Sequence, residues 1–287
     1  MKILVTGTNG FVGKNLKDYL SHYSEDLYTP KRQELNLLDS DSVQDYLKKH
    51  SFDVVIHCGV NIHSVEENLK MFFNIERCSN LFGRLLVVGS GAEYDMRNYH
   101  PGMKEDYFLE NIPTDIYGFS KYVIAKDIEI NPRNIYNLRV FGIFGKYEDH
   151  TRRFISNNIC RVLCGLDISM NKNMLFDYLY VDDFPKIIKI FLDNSPTHRS
   201  YNICAEKSID LLSIAKIIQM VDGNKISINV KEEGLNPEYS GNNSLFINEF
   251  GNFNYTPSSQ TQEQLTQVVP QSYSPPNIPS SGGGGGY

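Results

Sequence analysis

Short apolar runs alternate with longer segments whose apolar positions recur every three or four residues, and the alternation continues through the first half of the chain. KILVTG (2–7) predicts a strand, and FVGKNLKDYLSHY (11–23) an amphipathic helix. DLYTP (26–30) gives a short second strand. DSDSVQDYLKKH (39–50) opens on Asp and Ser caps and sets Val43, Tyr46 and Leu47 on one helical face. FDVVIHCG (52–59) and RLLVVGSG (84–91) predict buried strands around a helix at EENLKMFFNIERCSNLF (66–82). DIYGFSKYVIAKDIEI (115–130) then reads as a helix and NIYNLRVFGIFG (134–145) as one strand. Strand and helix in strict alternation predict the α/β class: a Rossmann-type, doubly wound parallel sheet with helices on both faces.

After Lys146 the elements shorten. Helical FISNNICRVLCG (154–165), a short ISM (168–170) and FDYLYVDDFPKIIKIFLDN (176–194) follow. RSYNICA (199–205), the helix DLLSIAKIIQMV (210–221) and the strand KISINVK (225–231) come next. The expected division is a dinucleotide-binding part from 1–145 and 176–204, with a smaller, interleaved substrate-binding subdomain from 146–175 and 205–257. From Ser258 to Tyr287 the chain carries one charge, Glu263, amid Ser, Gln, Pro and Gly, and ends in a pentaglycine before Tyr287. That composition predicts a disordered tail.

A hydrophobic fraction of 41% and a charged fraction of 22% leave room for a large core. The net charge of −6, without blocks of like charge, gives no footprint for nucleic acid. No apolar stretch reaches the roughly 18–20 residues of a membrane span, and the N-terminus runs straight into the first strand rather than a signal sequence. Five cysteines, an odd number, read as reduced thiols of a cytoplasmic protein. Cys160 and Cys164 share a helical face without a second ligand pair nearby, which makes them buried thiols rather than a metal clip.

TGTNGFVG (6–13) is the first chemical signal. Three glycines directly after a strand and before a helix suit a backbone that must approach a phosphate at a helix N-terminus. Gly7, Asn9, Gly10, Phe11, Val12 and Gly13 are therefore candidate cofactor-binding residues. Tyr117 and Lys121, four apart on a helix, share a face, and an ammonium beside a phenol lowers the phenol's pKa toward working pH. Ser90 ends a buried strand, where a hydroxyl can hydrogen-bond a substrate carbonyl. The alternative for Ser90 is a cap or turn residue.

Together TGxxGxxG, the SGAEY stretch at Ser90–Tyr94 and YxxxK at Tyr117 resemble the extended short-chain dehydrogenase/reductase family. LRVFGIFG (138–145) and FDYLYVDDF (176–184) are similar to two further segments of that family. The resemblance runs from Met1 to about Pro257. It implies that Tyr117 is the general acid/base, that Lys121 tunes it and holds the nicotinamide ribose, and that Ser90 orients the carbonyl. It also implies nucleotide-activated sugars as substrates. The dehydratases of the family carry an Asp-Glu pair where Gly91 and Ala92 stand here, which argues against dehydration. RQELNLLD (32–39) is most similar to the GDP-fucose synthases. Their epimerising Cys and His are replaced by Ala92 and by Arg152 or Arg153, leaving hydride transfer without epimerisation.

Lys31 and Arg32, with no acid before Glu34, favour the 2′-phosphate of NADP(H), with NAD the alternative. His57 is expected beside the cofactor as a buried, hydrogen-bonded histidine. Asp182 and Asp183 read as capping residues. Arg139, Arg152 and Arg153 are candidate substrate-binding residues, since guanidinium forks match phosphate oxygens. Gly142 stands where the family strand has Asn. The expected activity is reduction of a nucleotide-linked 4-keto-6-deoxy-sugar by a cytoplasmic homodimer, with a 4-epimerase or a non-catalytic cofactor-binding scaffold as alternatives.

Overall fold

The computed structural model describes residues 1–256 apart from Pro132, Asp222 and Asn224; the tail expected from Ser258 lies outside the described residues. In chain order the first half holds β1 (Ile3–Thr6), α1 (Phe11–Leu20), β2 (Leu27–Tyr28), α2 (Ser40–His50), β3 (Phe52–His57) and α3 (Val65–Glu76). Next come β4 (Phe82–Ser90), α4 (Ile116–Ile130), β5 (Ile135–Val140), β6 (Ile143–Phe144) and α5 (Phe154–Leu163). Then follow β7 (Ile168–Met170), β8 (Leu175–Phe176), β9 (Leu179–Tyr180), α6 (Asp183–Asp193) and β10 (Ser200–Ile203). The described chain finishes with β11 (Ile209–Asp210), α7 (Leu211–Val221), β12 (Ile228–Val230) and α8 (Ser244–Phe250).

Several helices start where short polar side chains satisfy free N–H groups. Asp39 accepts from Asp41 and Ser42 at 3.0 and 3.3 Å, which starts α2. Ser64 accepts from Glu67 at 3.1 Å and starts α3. Asp115 accepts from Gly118 at 2.7 Å, which sets the phase of α4 and so the direction of Tyr117.

Six parallel strands form the main sheet in the order β2-β1-β3-β4-β5-β10. Alternate strand residues face opposite ways. Ile3, Val5, Val54, Ile56 and Leu138 pack with Leu16 of α1 and with Phe184, Ile187 and Phe191 of α6. Leu4, Val55, Leu85 and Val87 pack on the other face with Val43 of α2, Phe72 of α3 and Ile124 of α4. The doubly wound, Rossmann-type architecture is the one the alternation predicts. A third cluster joins Ile155 and Ile159 of α5 to Ile214 and Ile218 of α7, under the two-stranded pair β7–β12.

Four elements differ from the sequence reading. The strand expected over 134–145 is two strands, because β6 leaves the main sheet to pair in parallel with β9. The helix expected over 66–82 stops at Glu76, and Phe82 already belongs to β4. The second strand is only Leu27–Tyr28. The helix α8 was not foreseen; it brings Phe246 into the main-sheet core beside Phe191, with ring centroids 5.9 Å apart.

Phe246 is fully buried against that face. Phe246→Ala is expected to lower the unfolding free energy by about 3–5 kcal/mol in urea titration. A cost below about 1 kcal/mol would show that α8 does not close this face.

Candidate active site

The strand order reverses between β1 and β3: the chain leaves β1 for β2 on one side, then returns to the other side for β3. In open parallel sheets the crevice beyond such a switch is where ligands bind. Here the two carboxyl ends meet at glycines. Gly7 has φ +73°, and a Cβ on it would lie 2.5 Å from the Gly59 nitrogen. Gly13 is pressed against the Gly7 carbonyl, so a side chain there would not fit either. Gly10 is different: its Cβ would meet only the Gly7 oxygen, at 3.4 Å. Among the described residues nothing else crowds that position. Gly10 is exposed and caps α1 without a side chain, and the first turn of α1 holds no acidic residue. The positive helix end faces an open cradle, which suits a dinucleotide pyrophosphate.

Around the cradle the predicted residues take their places as follows. Asn9 is exposed at the turn, Phe11 and Val12 are half-buried on the first turn of α1, and Val12 packs on the core. Lys31 and Arg32 are exposed just beyond β2 and form no ion pair among the described residues. His57 is buried with Nδ1 2.8 Å from the Thr6 hydroxyl. Burial pulls its pKa down to about 3, and the Lys121 ammonium adds to that, so the imidazole is neutral. Burial likewise pushes the adjacent Cys58 thiol up to about 12, which leaves it protonated and unreactive.

Ser90 is the last residue of β4, and its side chain accepts the Ala92 N–H at 3.1 Å. The cap reading of this serine is therefore correct as far as it goes, and the hydroxyl proton is still left over. Lys121 is buried, and its Nζ donates to the Val88 carbonyl at 2.7 Å. That bond anchors the ammonium at the carboxyl end of β4, one helical turn from half-buried Tyr117. Thr6, His57 and Ser90 all end strands of one sheet, so cradle, lysine and serine lie along one edge.

Arg139 requires a correction. Its guanidinium is fully buried, with Nε 2.6 Å from the Glu93 carboxylate and the Phe108 ring 4.2 Å away, so it is closed to a substrate phosphate. Arg152 and Arg153 are exposed before α5, where Arg153 occupies the N-cap position without a capping side-chain bond. Asp183 is buried and accepts from Lys186 and Thr256, at 2.9 and 2.7 Å.

Three acids were missed. Glu93 accepts the Ser90 N–H at 3.0 Å, the Asn137 amide at 2.7 Å and Arg139. Burial raises its pKa while Arg139 opposes that rise. Glu148 is raised by burial to about 7 and is in electrostatic reach of Arg153. Asp177 is raised well above the usual range by burial, although it accepts the Gly241 N–H at 2.5 Å. No spacing in the sequence marks Glu148 or Asp177. The capping-box spacing of Ser90 and Glu93 could have found Glu93.

A model of the NAD dependent epimerase/dehydratase family matches residues 3–204. The chain belongs to that family. Its members are NAD(P)-dependent enzymes, and the glycine cradle, Ser90, Tyr117 and Lys121 all lie within the matched residues. GDP-L-colitose synthase of Yersinia pseudotuberculosis is 22% identical, over 78% of this chain and 83% of that protein. ADP-L-glycero-D-manno-heptose-6-epimerase of Brachyspira hyodysenteriae is 24% identical, over 76% and 80%. The fold is shared with a GDP-L-fucose synthetase from Naegleria fowleri bound to NADP: TM-score 0.80, 16% identity, 92% of this chain and 91% of that one. It is also shared with GDP-mannoheptose C4 reductase from Campylobacter jejuni with NADP bound: TM-score 0.78, 15% identity, 93% and 96% coverage.

The neutral His57 has a consequence for stability. In the unfolded chain a histidine binds its proton near pH 6.5, while in the fold it stays neutral down to about 3. Below pH 6.5 the unfolded state therefore holds more protons, and stability falls as pH drops toward 3. The loss from this residue amounts to about 2 kcal/mol by pH 5. His57→Gln should flatten the decline in unfolding free energy between pH 7 and 5 by that amount. Equal slopes for the two proteins would contradict a neutral buried imidazole.

Proposed function

We propose that this protein is an NADP(H)-dependent reductase of a nucleotide-activated 4-keto-6-deoxy-sugar. The observation that carries the reading is the shared edge: the open glycine cradle, the Ser90 hydroxyl and the Lys121 ammonium lie at the carboxyl ends of neighbouring strands. Relatives whose names or bound molecules include GDP-sugars and NADP support it. Bound NADP(H) supplies the hydride.

The chain's own residues do the rest. The first-turn N–H groups of α1 and Gly10 would hold the pyrophosphate, and Lys31 and Arg32 would supply the charge for the 2′-phosphate. Ser90 donates its proton in a hydrogen bond to the sugar's carbonyl oxygen, which polarises the C=O bond. As the carbonyl carbon gains the hydride, the oxygen becomes negative and Tyr117 gives it a proton, so the product is the alcohol. Lys121 stabilises the phenolate left behind. The segments 146–175 and 205–257 form the substrate side of the crevice, where Arg152 and Arg153 offer forks to the nucleotide's diphosphate. Residues 91 and 92, Gly and Ala, provide no second acid or base for dehydration or epimerisation.

Tyr117→Phe is expected to lose about 100-fold or more in turnover while keeping NADPH affinity. Lys121→Met should lose both turnover and affinity. Ser90→Ala should cost about tenfold, the equivalent of one hydrogen bond. The assay is NADPH oxidation with GDP- and dTDP-linked 4-keto-6-deoxy-sugars, and wild-type rates in Tyr117→Phe would refute the assignment.

A separate expectation concerns the cofactor. NADPH should bind more tightly than NADH, and the double change Lys31→Ala, Arg32→Ala should narrow the gap, as read by fluorescence titration. A wild-type preference for NADH would contradict it.

A further inference from the structure

The segment from Glu238 to Asn242 is held from both sides. On one side the Tyr239 N–H donates to the Leu175 carbonyl at 2.9 Å, and the Gly241 N–H donates to Asp177. On the other, the Met103 N–H donates to the Ser240 carbonyl at 2.9 Å and the Asn242 N–H to the Met103 carbonyl at 2.7 Å. The strap so formed lays the Tyr239 ring against Tyr99, Phe141 and Phe176, with centroids 5.1, 5.3 and 5.6 Å away. Its hydroxyl then reaches the end of β4: a Cβ on Gly91 would lie 2.7 Å from it. A side chain at position 91 and the Tyr239 hydroxyl exclude each other.

At that point three hydroxyls come together. Those of Ser90 and Tyr99 are within hydrogen-bonding reach of Tyr239, and Tyr117 is near enough to act on it electrostatically. Burial holds the Tyr239 phenol well above its ordinary pKa, so it keeps its proton. Only one direction of these bonds leaves the Ser90 proton for a substrate oxygen. Tyr99 donates to the Gly91 carbonyl. Tyr239 can then donate to one lone pair of the Ser90 Oγ, whose other lone pair accepts from Ala92 at 3.1 Å, and the single serine proton is left for the substrate oxygen.

We propose that Tyr239 is a positioning residue for Ser90: its hydroxyl fixes the rotamer of the serine hydroxyl at the place where the substrate oxygen is received. The proposal deepens the reductase reading and rests on it. A serine hydroxyl with no fixed partner is spread over its three staggered rotamers, and only one of them serves a given substrate oxygen.

The test is a double-mutant cycle over Tyr239→Phe and Ser90→Ala, read in turnover and in urea unfolding. Tyr239→Phe keeps the ring and its packing. It should lower kcat about fivefold in the Ser90 background, leave NADPH affinity unchanged, and have no further effect once Ser90 is Ala. The unfolding equilibrium should show the same dependence on Ser90. A purely structural role would lower both backgrounds equally, and that result overturns the proposal, as does an unchanged kcat in Tyr239→Phe. If wild-type protein reduces none of the 4-keto-6-deoxy substrates, the reductase reading fails instead. The unfolding cycle then decides for Tyr239: coupling to Ser90 supports the contact, and independent effects overturn it.

Discussion

A single buried ion pair holds the end of β4 in place. Glu93 and Arg139 are both closed to water, an arrangement that costs several kcal/mol per ion unless every charge is matched. Glu93 meets this demand with three donors: the Ser90 N–H, the Asn137 amide and the Arg139 Nε. The donors come from β4 and from β5, so the pair fastens the turn after Ser90 to the neighbouring strand. Gly89 must be glycine for the same reason, since a side chain there would fall on Asn137 and Glu93. The clamp holds the Ser90 side of this turn, and the Tyr94 N–H and Tyr99 hydroxyl, both donating to the Gly91 carbonyl, hold the other; the serine and the strap hydroxyl depend on both.

The rest of the edge is organised by close backbone approach rather than by charge. Gly7 and Gly13 allow β1, α1 and the end of β3 to converge, and Gly10 leaves the helix end uncovered. Beside it, His57 stays neutral and bonded to Thr6, which keeps positive charge away from the wall behind the cradle. Lys121 is the cation kept there, tied to β4 by the Val88 carbonyl. A neutral wall, an open helix end and one fixed ammonium are a coherent set for binding an anionic dinucleotide next to a phenol.

The parts written in local pattern were readable in the sequence. β1, β3 and β4 are built on short apolar runs, and the Asp39 cap announces α2. The parts set by distant partners were not. NIYNLRVFGIFG looks like one strand because its break depends on β9, far along the chain. Arg139 was misread because every residue of β5 is buried, and such a strand gives no alternation to tell an inward guanidinium from an outward one. Tyr239 lies in EEGLNPEYSGNN, which has no periodicity at all; only its long-range backbone bonds to Leu175 and Met103 place it.

We propose that the site reduces without epimerising, because Ala92 and Arg153 supply no proton donor and acceptor pair. Epimerisation draws a proton from the carbon beside the ketone and returns one from solvent, whereas reduction alone leaves that carbon untouched. The direct test is to run the reaction with NADPH in heavy water and locate deuterium in the product by NMR. The account predicts a reduced sugar whose carbons 3 and 5 carry no more deuterium than a protein-free control. Deuterium enriched at either carbon, or no reduced sugar at all, would contradict it.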